Sequence, residues 1–379
     1  MINWFVDFKK ELLEIGSEVN ASIKRVLDRG WFVLGSEVTS FEKEFAKYSS
    51  SQFAVSCGNG TDAIALALKS LDLPAGSQVL TTPFTATYTS LAINMAGLVP
   101  VFSDIDETYN IDVNLKFNPP IGGQSSKINR FVSHEIKAVV PVHLYGNPCD
   151  MDPIVNYCKE TGAVLVEDCA QAHGAKYRGK TVGTFGELGC YSFYPTKNLG
   201  AYGDGGAVVT NDANLDKKLR MLREGGQSAK YQHDILGVNS RLDEMQAAIL
   251  QVKLKFLKKW TERRQQIAKY YLENLTGVGD LKFPKVLEGS EPVYHLFVLA
   301  TSKRDELAKF LAEKEIKTAI HYPIPLHLQK CYSYLGYKEG DFPNAEKACR
   351  EVLTIPLHPY LTDEEASEVV KTIKGFFRT

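Results

Sequence analysis

The sequence predicts an α/β protein with a mixed, mainly parallel sheet in a large domain and a smaller C-terminal domain of the α+β type. Short apolar runs alternate with helical patterns along most of the chain, which is typical of parallel strands joined by crossover helices. The 379 residues can bury a substantial core. Because the composition shifts near residue 254, we predict a large domain at residues 1–253 and a small domain at residues 254–379.

Composition argues against several classes of function. The 44 Lys and Arg residues nearly balance 45 Asp and Glu residues, so no basic field favours nucleic acid. Seven cysteines without a C-x-x-C pair indicate reduced thiols, and we assign packing roles to Cys57, Cys169 and Cys190. The N-terminus mixes charged and apolar residues, and the most apolar later stretch, residues 91–102, is too short to span a bilayer. We therefore expect a cytoplasmic protein that binds neither nucleic acid nor membrane.

The first part of the chain predicts two helices and then four strands. Apolar positions recur at helical spacing over residues 7–29, and GWFVLGSEVTSFEKEFAKY predicts a turn followed by a second helix. The predicted strands are residues 53–56, 78–82, 98–102 and 136–142. Helices are expected after three of them, at residues 63–71, within TPFTATYTSLAINMAG, and at residues 155–161. Residues 116–130 contain two prolines, two glycines and two serines, which indicates a surface loop.

The second part predicts the rest of the sheet and then the small domain. Three more apolar runs predict strands at residues 163–166, 188–193 and 206–210. A helix at residues 215–223 and a long helix with apolar positions from Leu242 to Trp260 follow. In the small domain, YHLFVLAT predicts a strand, SKRDELAKFLAEKE a helix with a serine cap, and IKTAIHYPIPLHLQ a strand that enters a proline-fixed loop.

Four polar residues lie where strands of the segment at residues 167–211 end. Asp168 ends one strand, with Gln171 three residues later, and the next strand leads to Ser192 and then Lys197 in a glycine-rich turn. A lysine that its pocket keeps in the amine form can react with an aldehyde. A carboxylate favours a protonated pyridine nitrogen, an amide can bind a ring hydroxyl, and a hydroxyl can bind phosphate. Each residue alone would more often be a surface or capping residue. Together they predict pyridoxal 5′-phosphate (PLP) as the cofactor, with Lys197 and Asp168 as catalytic residues.

An earlier turn, GNGTDAIALAL, is suited to the cofactor phosphate. Its glycines let backbone N–H groups converge at the start of a helix, where the helix dipole favours an anion. Glycine-rich turns of this kind are widespread, so the prediction depends on the lysine motif downstream. We predict Gly60 and Thr61 as amide donors to the phosphate.

At these motifs the sequence resembles the DegT/DnrJ/EryC1/StrS family of sugar aminotransferases, which belongs to the aspartate aminotransferase superfamily. The matching stretches are GNGTDAIALAL, EDCAQAHGA, VGTFGELGCYSFYPTKNLGAYGDGGAVVTND and NSRLDEMQAAIL, and the resemblance runs from about residue 30 to about residue 359. It implies the type I PLP-dependent transferase fold and a homodimer with two shared active sites. In that dimer Asn239 would contact the partner's cofactor phosphate. The resemblance also implies L-glutamate as amino donor and a nucleotide-linked keto sugar as acceptor, in deoxysugar or surface-glycan biosynthesis.

The resemblance assigns further side chains to the cofactor ring and the acceptor. Family members stack an aromatic side chain on the ring, but the strict match here falls on Ala86 or Thr87, so Phe84 or Tyr88 is expected to take that place. The contacts predicted for the acceptor are Tyr194, His321, Tyr322 and His327. His143, at a strand end, is either a hydrogen-bonded structural residue or a ligand contact. No zinc pattern occurs among the histidines, and no metal is predicted.

The position of the keto group is predicted from few residues. The combination of GWFVLGSEV with GNGTDA resembles the branch that acts on nucleotide-linked 3-keto-6-deoxyhexoses. A 4-keto or UDP-linked sugar is the first alternative. Sugar 3-dehydratase relatives replace the lysine by histidine, so Lys197 argues against them. A regulatory protein that keeps the fold without turnover is the alternative from another class, and the presence of all four polar residues argues against it.

Overall fold

A computed structural model describes residue 2, residues 6–113 and residues 136–378 of the chain. The surface loop predicted at residues 116–130 lies outside the described residues. The part of the chain predicted as the large domain contains, in chain order, the helices and strands α1 (Phe8–Arg29), α2 (Ser36–Tyr48), β1 (Phe53–Cys57), α3 (Gly60–Ser70), β2 (Gln78–Thr81), α4 (Tyr88–Met95), β3 (Val99–Phe102), β4 (Ile136–Val139), α5 (Met151–Thr161), β5 (Val164–Asp168), β6 (Lys176–Tyr177), β7 (Lys180–Thr181), β8 (Leu188–Ser192), β9 (Gly206–Thr210), α6 (Ala213–Arg223), β10 (Gln227–Ala229) and β11 (Gln232–His233).

A long helix then leads into the C-terminal part. The remaining elements are α7 (Glu244–Leu275), β12 (Ser290–Glu291), β13 (Phe297–Ala300), α8 (Arg304–Glu313), α9 (Pro343–Glu351), β14 (Val352–Ile355) and α10 (Asp363–Phe376). The predicted domain boundary between residues 253 and 254 falls inside α7, which is a single uninterrupted helix. The first half of α7 packs on the large domain, and its second half packs into the small-domain core around Leu299 and Val369.

The central sheet has seven strands in the order β1-β9-β8-β5-β4-β2-β3. Every pairing among β8, β5, β4, β2 and β3 is parallel, whereas β9 is antiparallel to both of its neighbours. The sheet is therefore mixed and mainly parallel, which confirms the predicted α/β class. Since β9 runs against both neighbours, β1 points the same way as β8, and the carboxyl ends of β1, β5 and β8 lie at one edge.

Two helical layers cover this sheet. Helices α3, α4 and α6 pack on one face, and α2, α5 and α7 pack on the other. Successive residues of a strand point to opposite faces, so Val79 contributes to the first layer's core and Leu80 to the second. Both faces are buried, which explains why the strands read as continuous apolar runs rather than as alternating patterns.

Helix α3 begins earlier than predicted. The sequence predicts its start at residue 63, but the structure starts it at Gly60, because the Asn59 side chain caps the helix by accepting the N–H of Asp62 at 2.9 Å. Gly60 and Thr61 are therefore the first two helical residues rather than members of a preceding loop. Their N–H groups belong to the first turn, which has no intrahelical acceptors for them.

Candidate active site

The fold brings Asp168, Ser192 and Lys197 to the same edge of the sheet. Strands β5 and β8 are parallel neighbours, and Asp168 pairs with Cys190, two residues before Ser192. Lys197 follows Ser192 in a tight loop, in which the Lys197 N–H donates to the Tyr194 carbonyl at 2.8 Å. The carboxylate and the amine lie close enough for each charge to affect the other group's pKa.

Asp168 is a buried carboxylate whose direct partners are neutral. Its side chain is 4% exposed. Oδ2 accepts a hydrogen bond from the Thr89 hydroxyl at 2.8 Å, and Oδ1 accepts one from the Ala170 N–H at 3.0 Å. Burial raises the pKa of Asp168, while these two donors and the nearby Lys197 oppose that rise. Asp168 forms no salt bridge within the described residues, so its charge would favour a bound cation such as a protonated ring nitrogen.

Lys197 lies in surroundings that favour its neutral amine. Removal from water lowers its pKa to about 8, and the Asp168 charge only partly offsets that effect. The nearby histidines add no positive charge at neutral pH, because burial lowers the pKa of His173 to about 3, that of His321 to about 4, and that of His295 well below its usual range. A lysine amine with a lowered pKa is the nucleophile that covalent carbonyl chemistry requires.

Gln171 is oriented by Tyr145. The Tyr145 N–H donates to Oε1 of Gln171 at 2.8 Å, which assigns the amide so that its NH₂ group points elsewhere. That group donates to the Tyr322 hydroxyl at 3.4 Å. Gln171 therefore presents its donor on the side of Tyr322, and its bond to the cofactor's ring hydroxyl stays a prediction.

The start of α3 and the end of β8 form a cradle suited to phosphate. A Cβ atom on Gly60 would lie 2.6 Å from the Cβ of Ser192, so only glycine permits this approach. The first-turn N–H groups at Gly60 and Thr61 and the Ser192 hydroxyl are thereby brought together. Helix N-termini bind phosphate through such groups and through the helix dipole.

Asn239 lies beside this cradle but is not part of it. Asn239 is exposed. The next residue, Ser240, is fixed to α3: its hydroxyl donates to Asp62 Oδ2 at 2.6 Å and accepts the Gly58 N–H at 2.9 Å. The segment before α7 is thus held to its own chain's cradle while Asn239 remains accessible from outside.

The two aromatic candidates for ring stacking have different surroundings. Phe84 is fully buried and packs edge-on against Tyr109 and Tyr145, with ring centroids 5.9 and 6.4 Å apart. Tyr88 is 59% exposed at the first position of α4. An enclosed ring cannot also cover a cofactor, so Tyr88 is the better candidate, and its stacking stays a prediction.

The four predicted acceptor contacts lie in three different environments. His321 and Tyr322 are partly buried and lie next to Tyr145 and Gln171, since the Tyr145 hydroxyl donates to the His321 carbonyl. Tyr194 is 52% exposed in the loop before Lys197. His327 lies away from open space: its ring is 2% exposed, pairs with Glu346 at 3.0 Å and packs on Phe342.

His143 and Glu167 form a buried hydrogen-bonded network beside the site. Ligand atoms of His143, Glu167 and Cys169 lie within 4.8 Å of one another. The Glu167 carboxylate, however, accepts the N–H groups of Gly183, Phe185 and Gly186 and contacts Nε2 of His143 at 3.1 Å. Nδ1 of His143 accepts the Cys149 N–H at 3.1 Å. These groups are occupied by protein partners, which supports the structural reading of His143 and gives no support to a metal site.

Sequence reasoning missed Thr89 and Tyr145 as parts of the site. Thr89 and Asp168 are 79 residues apart, and no local pattern marks the threonine. Tyr145 and Gln171 are 26 residues apart, and no local pattern marks the tyrosine either. Both contacts depend on how α4 and the loop after β4 pack at the sheet edge.

The described residues contain no helix long and apolar enough to cross a membrane.

The site residues fit PLP on three structural grounds. The buried carboxylate lacks a cationic partner among the described residues, the amine has a lowered pKa, and the cradle would be filled by a Cβ at Gly60. A carboxylate suits the ring nitrogen, an amine the aldehyde, and a helix N-terminus the phosphate.

Comparisons with known proteins identify the family of this chain. The model of the DegT/DnrJ/EryC1/StrS aminotransferase family matches residues 13–374. A "Pleiotropic regulatory protein" of Geobacillus stearothermophilus is 44% identical over 98% of each chain. The dTDP-3-amino-3,4,6-trideoxy-alpha-D-glucose transaminase of Streptomyces venezuelae is 40% identical over 98% of this chain and 95% of its own. The UDP-N-acetyl-3-dehydro-alpha-D-glucosamine 3-aminotransferase of Acidithiobacillus ferrooxidans is 39% identical over 97% and 96%.

A solved structure extends the likeness to three dimensions. The crystal structure of S. venezuelae DesV superposes with a TM-score of 0.92 at 39% identity, covering 100% of this chain and 99% of that one. The likeness confirms the predicted fold class over the whole chain.

Proposed function

Because the chain belongs to the DegT/DnrJ/EryC1/StrS aminotransferase family and is therefore a PLP-dependent transaminase, we propose that it moves an amino group from L-glutamate to carbon 3 of a nucleotide-linked 3-keto-6-deoxyhexose. The observation that carries the proposal is the pair of Lys197, with its lowered pKa, and the buried Asp168 at one sheet edge. A cytoplasmic location accords with seven unpaired cysteines.

The chain's own residues have separate tasks in this reaction. Bound here, PLP would supply an aldehyde that takes up and releases the amine and a protonated ring that withdraws electrons from the reacting carbon. Asp168 would hold the proton on the ring nitrogen, Gln171 would bind the ring hydroxyl, and the cradle of Gly60 and Ser192 would bind the phosphate. Lys197 Nζ would take a proton from the donor carbon that carries the amine and deliver it to the cofactor carbon C4′. With a pKa of about 8, about a tenth of the amine is neutral at pH 7, far more than for an ordinary lysine.

The choice of carbon 3 rests on two observations of sequence similarity. The stretches GWFVLGSEV and GNGTDA resemble the 3-keto branch. The two relatives named as transaminases carry position 3 in their names, one on a dTDP-linked and the other on a UDP-linked sugar. We propose the dTDP-linked sugar, with UDP-linked and 4-keto sugars as the alternatives.

Product analysis tests the position of the amine. Purified protein with PLP and L-glutamate is incubated in parallel with dTDP-linked 3-keto and 4-keto 6-deoxyhexoses and with a UDP-linked 3-keto sugar, and products are identified by mass and NMR. An amine at carbon 3 of the dTDP sugar supports the proposal. An amine at carbon 4, or formed only on the UDP sugar, replaces it by the corresponding alternative.

A regulatory role without turnover is the competing function. The observation that favours it is the name of the Geobacillus relative. Lys197→Ala separates the two. It should abolish transamination while leaving the circular dichroism spectrum and unfolding temperature close to those of wild type. Substantial turnover by this variant contradicts the role of Lys197, and a wild type without turnover on any sugar tested favours the regulatory function.

We also propose a homodimer in which Asn239 reaches the partner's phosphate cradle. The exposed Asn239 next to the anchored Ser240 supports this arrangement. Light scattering gives the mass, and Asn239→Ala should weaken PLP binding. The shared site is contradicted if the wild type is a monomer in solution, or if Asn239→Ala binds PLP as tightly as wild type.

A further inference from the structure

The alternation of side chains along β5 decides where its two adjacent carboxylates point. Leu165 packs on the α5 side of the sheet and Val166 on the α3 and α4 side. Because side chains alternate along a strand, Glu167 points to the α5 side of the sheet and Asp168 to the α3 and α4 side. Asp168 thus faces α4, and the α4 residue that meets it is Thr89.

The main chain of Asp168 is fixed before its side chain is considered. Its N–H donates to the Pro141 carbonyl at 2.9 Å, and its carbonyl accepts the His143 N–H at 3.1 Å. The Ala170 N–H then holds Oδ1. What these bonds leave undetermined is the second carboxylate oxygen, Oδ2, and its described partner is the Thr89 hydroxyl at 2.8 Å.

The Thr89 hydroxyl differs from those of two other threonines in helices of this chain. Thr39 and Thr161 each donate to the carbonyl four residues earlier, at 2.9 and 2.8 Å, which is the usual local bond of threonine. Thr89, in the first turn of α4 and 2% exposed, instead donates across to the end of β5. A buried donor committed to a carboxylate rather than to its own helix indicates a role at the site.

We propose that Thr89 is a positioning residue that holds the Asp168 carboxylate through Oδ2 and thereby enables Asp168 to keep the cofactor's ring nitrogen protonated. The inference rests on the proposed PLP site. A neutral hydroxyl fixes the carboxylate without cancelling its charge, unlike a lysine or arginine, so the charge stays available to a ring cation. Because Thr89 follows Tyr88, the same bond also anchors the turn that carries the candidate stacking ring.

The test uses the PLP-loaded protein and reads the ring nitrogen directly. Thr89→Val keeps the shape and removes the donor, and Thr89→Ser keeps the donor. With PLP labelled by ¹⁵N at the ring, Thr89→Val should move the nitrogen resonance toward its unprotonated value and raise the PLP Kd about tenfold, as expected for a lost hydrogen bond to a charged group. Thr89→Ser should restore both quantities to within about twofold of wild type.

Thr81→Val is the matched control. The Thr81 hydroxyl is equally buried and donates to the Val140 carbonyl at the same 2.8 Å, without touching Asp168. It should lower the unfolding temperature as much as Thr89→Val does while leaving the ring-nitrogen resonance unchanged. If Thr89→Val does not fold, Thr89→Ala replaces it. The PLP Kd should then rise in the order wild type, Thr89→Ser, Thr89→Ala, and the ring-nitrogen resonance should shift in the same order.

The outcomes separate this inference from the proposed function. A wild type that takes up no PLP overturns the proposed function itself. A wild type with a protonated ring nitrogen and a Thr89→Val variant with the same resonance and a Kd within about twofold overturns only the role of Thr89. A resonance shift of equal size in Thr81→Val also overturns it, since the effect would then come from general loosening of the sheet.

Discussion

Replacement of Gly60 by alanine tests whether the start of α3 and Ser192 bind the cofactor phosphate together. A Cβ at residue 60 would lie 2.6 Å from the Cβ of Ser192, 3.0 Å from its Oγ and 3.2 Å from its Cα. Two of the three atoms belong to the rigid part of the β8 terminus, so rotation of one side chain cannot relieve the overlap. Either the helix start or the strand end must move, which separates the first-turn N–H groups from the Ser192 hydroxyl.

The size of the effect follows from the overlap. Overpacking of this kind costs about 1–3 kcal/mol. If the strain is relieved by opening the cradle, the Kd for PLP rises about 5- to 150-fold. Titration of the apoprotein with PLP, followed by absorbance, measures this Kd. The same titration with pyridoxal, which lacks the phosphate, should show much less change.

Gly375→Ala is the control for adding a methyl group. Gly375 lies in α10, and no heavy atom is within 4 Å of its Cβ position. This variant should bind PLP like wild type. The assignment of the cradle is refuted if Gly60→Ala keeps the wild-type Kd for PLP, or if it loses as much affinity for pyridoxal as for PLP.

Three further predictions concern the lysine, a buried charge cluster and α1. Since the pKa of Lys197 is lowered to about 8 and only the neutral amine reacts, PLP uptake by the apoprotein should accelerate as pH rises and level off above about 8; stopped-flow rates that keep rising to the ordinary lysine pKa contradict this. Glu42→Ala removes the carboxylate to which the buried Arg223 donates at 2.5 Å and leaves that arginine only the neutral oxygens of Ser56 among the described residues. This variant should cost about 3–5 kcal/mol in urea unfolding, whereas a loss below about 1 kcal/mol would contradict the assignment. Gly16→Ala, with only Leu12 Cβ at 4.0 Å, should add about 0.5–1 kcal/mol, and an unchanged urea midpoint would show that α1 gains nothing from it.

The sequence predicted the central sheet and the helices that cover it because these elements carry strong periodic signals. The strands that form the central sheet are short apolar runs between turn residues, and the helices that cover it show helical spacing. Three of the four residues first assigned to PLP, Asp168, Ser192 and Lys197, could be placed at one edge for the same reason: parallel strands put their carboxyl ends together. The short strands β6, β7 and β10 to β12 were missed, since two or three residues give no periodicity, and the later elements α9, β14 and α10 were not predicted either.

The missed parts of the site depend on contacts between distant segments. The hydrogen bond of Thr89 to Asp168 forms because α4 packs over the end of β5. No sequence pattern near Thr89 indicates it. The choice between Phe84 and Tyr88 has the same cause. Both aromatics precede or begin α4, and their different exposure follows from the cluster around Tyr145, which also includes small-domain residues.

The neighbours Glu167 and Asp168 show how one strand assigns opposite roles to similar side chains. Glu167 accepts three backbone N–H groups from the turn at residues 183–186 and contacts His143. These hydrogen bonds stabilise its carboxylate and hold that turn. Asp168, on the other face, receives two neutral donors and has no ion pair in the described part of the chain. A buried carboxylate in that condition is costly unless a cation binds. We therefore expect the apoprotein to carry an unfavourable buried charge that a protonated cofactor ring would relieve, so the protein should bind PLP more tightly than an analogue whose ring cannot be protonated.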